Sequence, residues 1–437
     1  MARPLKICMI TTFYPPYNFG GDGIFIYRLT NELAARGHSV DVIHCKDSYL
    51  LLEPRGPKGD FPNHANVTVH GLKSPWGRLS PLLTQQTGYP LLKKRKIDAI
   101  LKEKGFDVIH YHNISLVGGP GLLEPRPEIT LYTTHEHWLV CPMHVLWKYN
   151  REACTKRNCL SCCILGRRPP QLWRYTGLIR RKARNVDCFI SPSRFTLKKH
   201  REMGLDAPFI HMPYFIPSSE EGSFTGGDKA PGAARRPYFL FVGRLEKIKG
   251  LQHVIPLFRD YRHADLLIAG DGEYADVLKG LAGGIDSVRF LGRVDHEGLR
   301  RLYHGAIALV VPSICYEVFG IIILEAFSMK TPVIVNNVGA PPDVIEESGG
   351  GFIYNNADEL IEAMDRLRCD TALRDELALK GYNAYRRYWT EDNCMRIYFN
   401  LIAQLAGKKG IDLDVPCRER EEAAPSARRE GAKECGR

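Results

Sequence analysis

The sequence predicts an α/β protein of two domains, each a doubly wound parallel sheet, facing one another across a cleft. Three observations predict it. Apolar runs of strand length recur along the chain and alternate with helical segments, the pattern of parallel sheets. Several runs end in Gly-Arg, Gly-Asp-Gly or His-Glu, so they deliver polar loops to one sheet edge. Residues 217–237, rich in Gly, Ala, Pro and Ser and without periodicity, read as a linker between the halves. At 437 residues the chain is long enough for two cores.

The first domain spans residues 1–216. Residues 6–11 are its first strand, and the N-terminus lacks the architecture of a secretory leader. The loop 13–23 carries Gly20, Gly21, Asp22 and Gly23. A helix follows over 24–35, stopped by Gly37, then strands at 39–44, 107–110, 130–134 and 188–193. The glycine loop is not a Gly-x-Gly-x-x-Gly fingerprint, and no acidic residue follows at dinucleotide spacing, so a nicotinamide or flavin site is excluded. Gly20 and Gly21 either let a substrate approach the backbone or form a plain turn. His135 ends a strand at the same edge, next to Glu136 and His137; it is either structural or a cleft residue. Cys154, Cys159, Cys162 and Cys163 fall within ten residues, with Cys141 nearby. They read as a structural metal site, zinc or an iron–sulfur cluster, or else as free thiols or one disulfide.

The second domain spans residues 238–381. Its first strand, 238–242, runs into Gly243-Arg244 and then Lys249-Gly250. Strand 265–269 ends in Gly270-Asp271-Gly272, and strand 287–291 in Gly292-Arg293. The apolar run 306–313 precedes Glu317-Val318-Phe319-Gly320, and Glu325 lies about one turn into the next helix, before strand 332–335. Glu317 is thus placed in a strand-to-helix loop. The N–H groups around Val318, Phe319 and Gly320 open a helix N-terminus, a ready phosphate site. Arg244 and Lys249 can neutralise a diphosphate without a metal. No Asp-x-Asp stands between a strand end and its loop to hold one.

Residues 382–406 read as a terminal helix and 407–437 as a charged, disordered tail. No apolar run is long enough to span a membrane, so the expected location is cytoplasmic. The net charge of +11 points to an anionic partner. Its clusters, Lys93 to Lys96, Arg180 to Arg184 and Lys198 to Arg201, all lie in the first half. That asymmetry suits a lipid-linked acceptor or the inner face of the cytoplasmic membrane, against the alternative of a solvated helix face.

The Gly-Arg-Leu…Lys-Gly loop, the Gly-Asp-Gly strand end and the Glu-x7-Glu block, in this order and spacing, resemble the retaining GT-B glycosyltransferases of group 1, or family 4. The resemblance runs from Lys6 to about Leu405. It implies two Rossmann-like domains, a nucleotide-sugar donor (UDP-, GDP- or ADP-linked) in the second, and a carbohydrate or lipid-linked acceptor in the first. No cofactor is implied for transfer. His135, Glu317, Arg244 and Lys249 are the implied catalytic set. Glu325 is expected on the ribose, and Gly20, Gly21 and Gly243 beside the phosphates. Gly270, Asp271, Gly272 and Arg293 are expected to flank the base. A nucleotide-sugar epimerase or phosphorolytic enzyme of the same fold is the alternative. A nucleic-acid-binding scaffold would leave the glutamate block unexplained, and no nucleic acid is expected as partner.

Overall fold

The computed structural model describes residues 3–57, 59–218 and 236–413. Most of the expected linker and the tail beyond residue 413 lie outside them. The first domain holds strands β1 (Lys6–Ile10), β2 (Ser39–Cys45), β3 (Val67–Leu72), β4 (Val108–Tyr111) and β5 (Ile129–Thr133). A short antiparallel hairpin, β6 (Trp147–Lys148) and β7 (Glu152–Ala153), follows, then β8 (Cys188–Ser191) and β9 (Phe209–His211). The main sheet has the order β3-β2-β1-β4-β5-β8-β9, parallel throughout. The second domain holds β10 (Tyr238–Val242), β11 (Asp265–Ala269), β12 (Val288–Gly292), β13 (Ala308–Val311), β14 (Val333–Asn336) and β15 (Gly351–Tyr354). Its parallel order is β12-β11-β10-β13-β14-β15.

Both sheets reverse direction beside their first strand, between β1 and β4 and between β10 and β13. Loops leaving these strands diverge there and open a crevice at the carboxyl edge. The central strands are Val-, Ile- and Leu-rich and buried on both faces, as helix-covered parallel strands are. One apolar core runs from Ile7 and Phe25 through Tyr214 and Phe319 to Leu240, so the two domains share packing at the cleft floor.

The expected single terminal helix is instead two, Thr371–Tyr388 and Glu391–Lys409. The break is held by packing. Trp389 is buried and stacked on Phe327 with ring centroids 6.0 Å apart, and its carbonyl accepts from Ile216 N at 3.1 Å. Thr390 is extended, and the chain re-enters helix in the first domain. There Tyr398 Oη bonds His110 Nδ1 at 3.1 Å, and Lys409 Nζ pairs with Asp187 at 2.6 Å. The segment 407–409, expected within the tail, is therefore helical.

Buried histidines line the first sheet. His110, His112 and His135 stack, with His112 Nδ1 2.9 Å from His135 Nε2. Burial pushes His135 down to about 3, as burial chiefly does for His44; His200 and His211 fall to about 4. An unfolded histidine titrates near 6.5. Between those values the unfolded chain binds more protons, so stability rises with pH there. The contribution is full above about pH 6.5 and is lost as pH falls towards 3 to 4. Unfolding free energies from urea titrations at pH 8 to pH 4.5 should stay flat above about 6.5 and then drop, by up to about 1.4 kcal/mol per pH unit for each such histidine. A flat profile down to pH 4.5 would refute the neutral, buried assignment.

Candidate active site

The second domain's switch-point loops are locked backbone to backbone. Gly250 has φ +79°, and a Cβ there would stand 1.8 Å from the Pro312 carbonyl oxygen. Only glycine allows that approach. Ile314 N donates to Ile248 O at 2.9 Å across the same seam. Lys249 is thereby aimed at the loop after β13, where its Nζ meets Glu317 Oε1 at 2.5 Å. Ser313 Oγ donates to the same oxygen at 2.7 Å. Burial works against ionisation of Glu317, but the charge and hydrogen bond of Lys249, with Ser313 and Arg244, outweigh it and hold the carboxyl below the usual range. Burial likewise opposes the Lys249 charge, and Glu317 keeps its pKa raised. The result is an ion pair, 22% and 16% exposed, at the cleft wall.

Arg244, on the loop after β10, is 57% exposed and pairs with Glu246 at 2.7 Å. Gly320 is left-handed, φ +91°, and starts the helix Ile321–Ser328. The first domain's helix, Gly21–Ala35, begins opposite it: a Cβ on Gly21 would lie 3.4 Å from Ile321 Cγ2. Two helix N-termini, each with uncapped N–H groups and a positive dipole end, therefore face one another across the cleft. A Cβ on Gly20 would stand 3.3 Å from Asp22 Oδ1, and the space over Gly23 is filled by Asn18.

Several of the other expected site residues are engaged in contacts within the protein. Both ring nitrogens of His135 are engaged, Nε2 by His112 and Nδ1 by Tyr214 Oη at 2.7 Å, and the ring is buried against Phe25. Its side chain is buried and hydrogen-bonded at both nitrogens, where the resemblance implied a histidine beside the donor sugar. Phe319 is buried against Tyr214 at 5.2 Å, and the Val318 carbonyl accepts from Thr196 Oγ1 at 3.0 Å. Both join the domains rather than presenting side chains to a ligand. Gly270 abuts the Gly243 carbonyl oxygen, which a Cβ would approach to 1.9 Å, so those two glycines fix the loop packing of Arg244. Asp271 and Arg293 are exposed and 3.8 Å apart. Glu325 Oε2 accepts from Tyr303 Oη at 2.9 Å, and its Oε1 lies 3.8 Å from Arg28 Nη2 of the first domain.

Sequence reasoning missed Asp22 and Glu136 as site residues. Asp22 opens the first domain's helix, and its pKa is raised by burial first and then by Glu136. Glu136 bonds His144 at 2.7 Å through Oε2, while its shielded Oε1 has no hydrogen-bond partner. The signal was their position, one after Gly21 and one after His135. The quartet Cys154, Cys159, Cys162 and Cys163 also needs correction. Cys162 and Cys163 are adjacent in the helix Cys159–Leu165, so they point about 100° apart. Among the described residues, no three Cys, His, Asp or Glu side chains are drawn to metal-holding geometry, and all eleven cysteines are free.

Two doubly wound parallel domains packed across a cleft, with a glycine-bearing loop at one switch point and basic loops at the other, are the GT-B architecture. The model for glycosyl transferases group 1 matches residues 228–384, and that for glycosyltransferase family 4 matches residues 19–214. The chain belongs to the group 1 / family 4 glycosyltransferases. It is 35% identical over 170 residues to an uncharacterized glycosyltransferase of Methanocaldococcus jannaschii, covering 37% of this chain and 43% of that one. It is 28% identical to glycogen synthase of Mycobacterium tuberculosis over 77% of this chain and 78% of that one. It is 25% identical to phosphatidyl-myo-inositol mannosyltransferase of Mycobacterium leprae over 88% and 94%. Among solved structures, sucrose-phosphate synthase from Thermosynechococcus elongatus superposes with TM-score 0.71 at 21% identity, over 92% of this chain and 100% of that one. Anabaena HepE in complex with UDP superposes with TM-score 0.62 at 16% identity, over the same shares.

The Lys249–Glu317 pair makes a testable statement about the site. Lys249→Ala leaves a shielded carboxylate, and Glu317→Ala leaves a shielded ammonium. Each should lower the urea unfolding free energy by about 1–3 kcal/mol. The double variant should lose clearly less than the sum. Strictly additive losses would show that the pair does not interact.

Proposed function

We propose that the protein is a retaining glycosyltransferase that moves a sugar from a nucleotide-sugar donor to an acceptor hydroxyl, without a metal in the transfer step. The observation that carries this reading is the convergence of Arg244, Lys249 and two helix N-termini on one stretch of cleft. Transfer breaks the bond from the anomeric carbon to the diphosphate oxygen, and charge builds on that oxygen. Fixed cations and N–H groups stabilise it without reorganising. Glu317, held ionised by Lys249, accepts hydrogen bonds from sugar hydroxyls near the reacting carbon. Glu325 serves the ribose, and Asp271 and Arg293 flank the base. The acceptor oxygen attacks from the face the diphosphate leaves, its proton passes to a departing phosphate oxygen, and configuration is retained. A UDP-sugar is the first donor to try, since the HepE relative in fold binds UDP.

The decisive experiment screens UDP-, GDP- and ADP-sugars by thermal shift and then determines the product anomer by NMR. The expected product keeps the donor configuration. The rate in EDTA should stay within about twofold of that with magnesium. Arg244→Ala should cost at least about 2 kcal/mol in kcat/KM, roughly thirtyfold, as loss of a contact to developing charge. An inverted product, or magnesium-dependent transfer, would refute the mechanism. A sugar isomerised without acceptor would favour the epimerase reading.

For the acceptor, the proposal is a lipid-linked substrate at an anionic membrane surface. It is supported by one face of the first domain. The helix Leu79–Thr87 packs on the segment 172–183 through the bond from Trp173 Nε1 to Gln85 O at 2.8 Å and through Lys182 over Tyr89. Trp76, Leu79, Leu82, Leu83, Leu172 and Tyr175 are all exposed there, beside Arg180, Arg181 and Arg184. Lys93, expected in the basic cluster, is instead buried and bonds Ser80 Oγ at 2.7 Å. Among the described residues no helix is long and apolar enough to cross a membrane, so the contact proposed is peripheral, on the cytoplasmic side. Each exposed Lys or Arg near such a surface contributes about 1 kcal/mol, screened by salt. The protein should therefore sediment with anionic vesicles at low salt and less at high salt. Replacing Arg180, Arg181, Lys182 and Arg184 by Gln should abolish this while sparing donor binding. No association at low salt would leave a soluble acceptor.

A further inference from the structure

The segment after Glu136 departs from the doubly wound plan: Trp138 to Cys141 and Leu146 are buried in the first domain's core, but the helix that follows is not. Leu160, Ile164 and Leu165 of its helix Cys159–Leu165 are exposed, and the β6–β7 hairpin is two residues per strand. Yet its backbone is demanding. Five of the six described non-glycine residues with positive φ, namely His144, Leu146, Tyr149, Asn150 and Arg167, lie in it. Such conformations carry a cost and persist where the surroundings over-determine them. A small domain without a sufficient core usually meets that need with a cross-link.

The cysteines are placed to provide one. Cys141 precedes the hairpin, Cys154 follows it directly, and Cys159 and Cys162 share one face of the helix's first turn, three residues apart. These four line a single cavity of about 10 Å³. Cys163, one step round the helix, does not line it. The volume is that of about one water-sized sphere. A single ion held by sulfurs at about 2.3 Å requires the four side chains to close in on it, since as placed no three of them stand in metal-holding geometry. Tyr149 N–H already points at Cys162 Sγ, at 3.5 Å.

The charges beside the cavity are of the sign such a site would attract. Arg174 stacks on Trp138 and Trp173, and its Nη2 is shielded from solvent without a hydrogen-bond partner. Its guanidinium lies within electrostatic reach of Cys141, Cys159, Cys163 and the Glu136 carboxylate. A shielded cation needs an anionic neighbour. Four thiolates around a divalent ion carry a net charge of minus two, and Lys148 also lines the cavity.

We propose that Cys141, Cys154, Cys159 and Cys162 bind one zinc ion, each thiol releasing its proton to solvent, and that this site pins the insertion beneath the loop of His135 to His137. That loop reaches the second domain, where His137 Nε2 lies 3.3 Å from the Tyr316 carbonyl oxygen. The proposal is independent of the sugar-transfer reading.

The test is metal analysis of the full-length protein purified without chelator. About one zinc per chain is expected. Cobalt exchanged into it should give the intense ligand-field bands of a tetrahedral thiolate site. Cys141→Ser and Cys162→Ser should each lose the metal, and Cys163→Ser and Cys188→Ser should keep it. Should the serine variants fail to fold, Cys141→His keeps a ligand, and it should retain zinc with a shifted cobalt spectrum. Wild-type protein stripped by a strong chelator should be cut by protease within 141–168 and be protected again by added zinc. Protein that holds no zinc and takes up no cobalt overturns the proposal. So do a disulfide among these cysteines, iron with sulfide, or metal lost by Cys163→Ser but kept by Cys141→Ser.

Discussion

The second domain's half of the site hangs on the approach of Gly250 to Pro312. It brings two loops into backbone contact, and the side chains on either side of the seam, Lys249 and Glu317, can then meet at 2.5 Å. A side chain at position 250 would push the loops apart and separate the charges. The same device recurs one strand over, where Gly270 lies on Gly243 and Leu245 N donates to Asp271 O at 3.0 Å. Three loops leaving three neighbouring strands are thus one rigid unit, and Arg244 projects from its middle. Pre-organised charge of this kind is held by covalent shape, not by the mobility of long side chains.

The cleft is also held from the first domain. The loop between β13 and the helix Ile321–Ser328 gives two of its carbonyls away, Tyr316 to His137 and Val318 to Thr196. Phe195 N donates to Asp343 Oδ2 at 3.1 Å further along the same face. With those carbonyls engaged across the boundary, the helix N-terminus beyond them is left facing the cleft. The chain crosses between domains again near Trp389, whose carbonyl bonds Ile216 of the other crossing. The relative position of the domains is set beside the site, so the opposition of Gly21 and Ile321 follows from the packing.

Much of this was legible in the sequence, and the rest failed for identifiable reasons. The central strands announced themselves because both their faces are buried. The edge strands β3, β9 and β15 did not: β3 is largely exposed, β9 has three residues, and β15 starts at glycine. The Lys-Gly and Glu-x7-Glu patterns lie on loops that the structure brings into contact, but a pattern does not say which side chain meets which. Gly270, Phe319 and His135 each meet a partner from a distant part of the chain, which no local pattern shows. The helical pattern over 382–406 hid its break, since Trp389 is a tertiary anchor with no local stop signal. Spacing likewise favoured Cys163 over Cys141, because sequence proximity is no guide to which face of a helix a thiol occupies.

The acids of the cleft show how one fold gives like groups different states. Glu317 and Asp22 are both shielded and stand near opposite walls. Burial alone would push both towards the neutral form. Glu317 escapes because Lys249 and Ser313 bond the same oxygen, so its charge is retained. Asp22 has the backbone N–H of Gly23 and the side chain of Asn113, and Arg244 at longer range, but Glu136 opposes them and its pKa ends raised. The difference lies in whether a cation is in contact, since a through-space charge decays with distance while a shared hydrogen bond does not have to compete with solvent. One carboxylate is thereby fixed as an acceptor at neutral pH, and the other is moved towards the range where it can hold a proton.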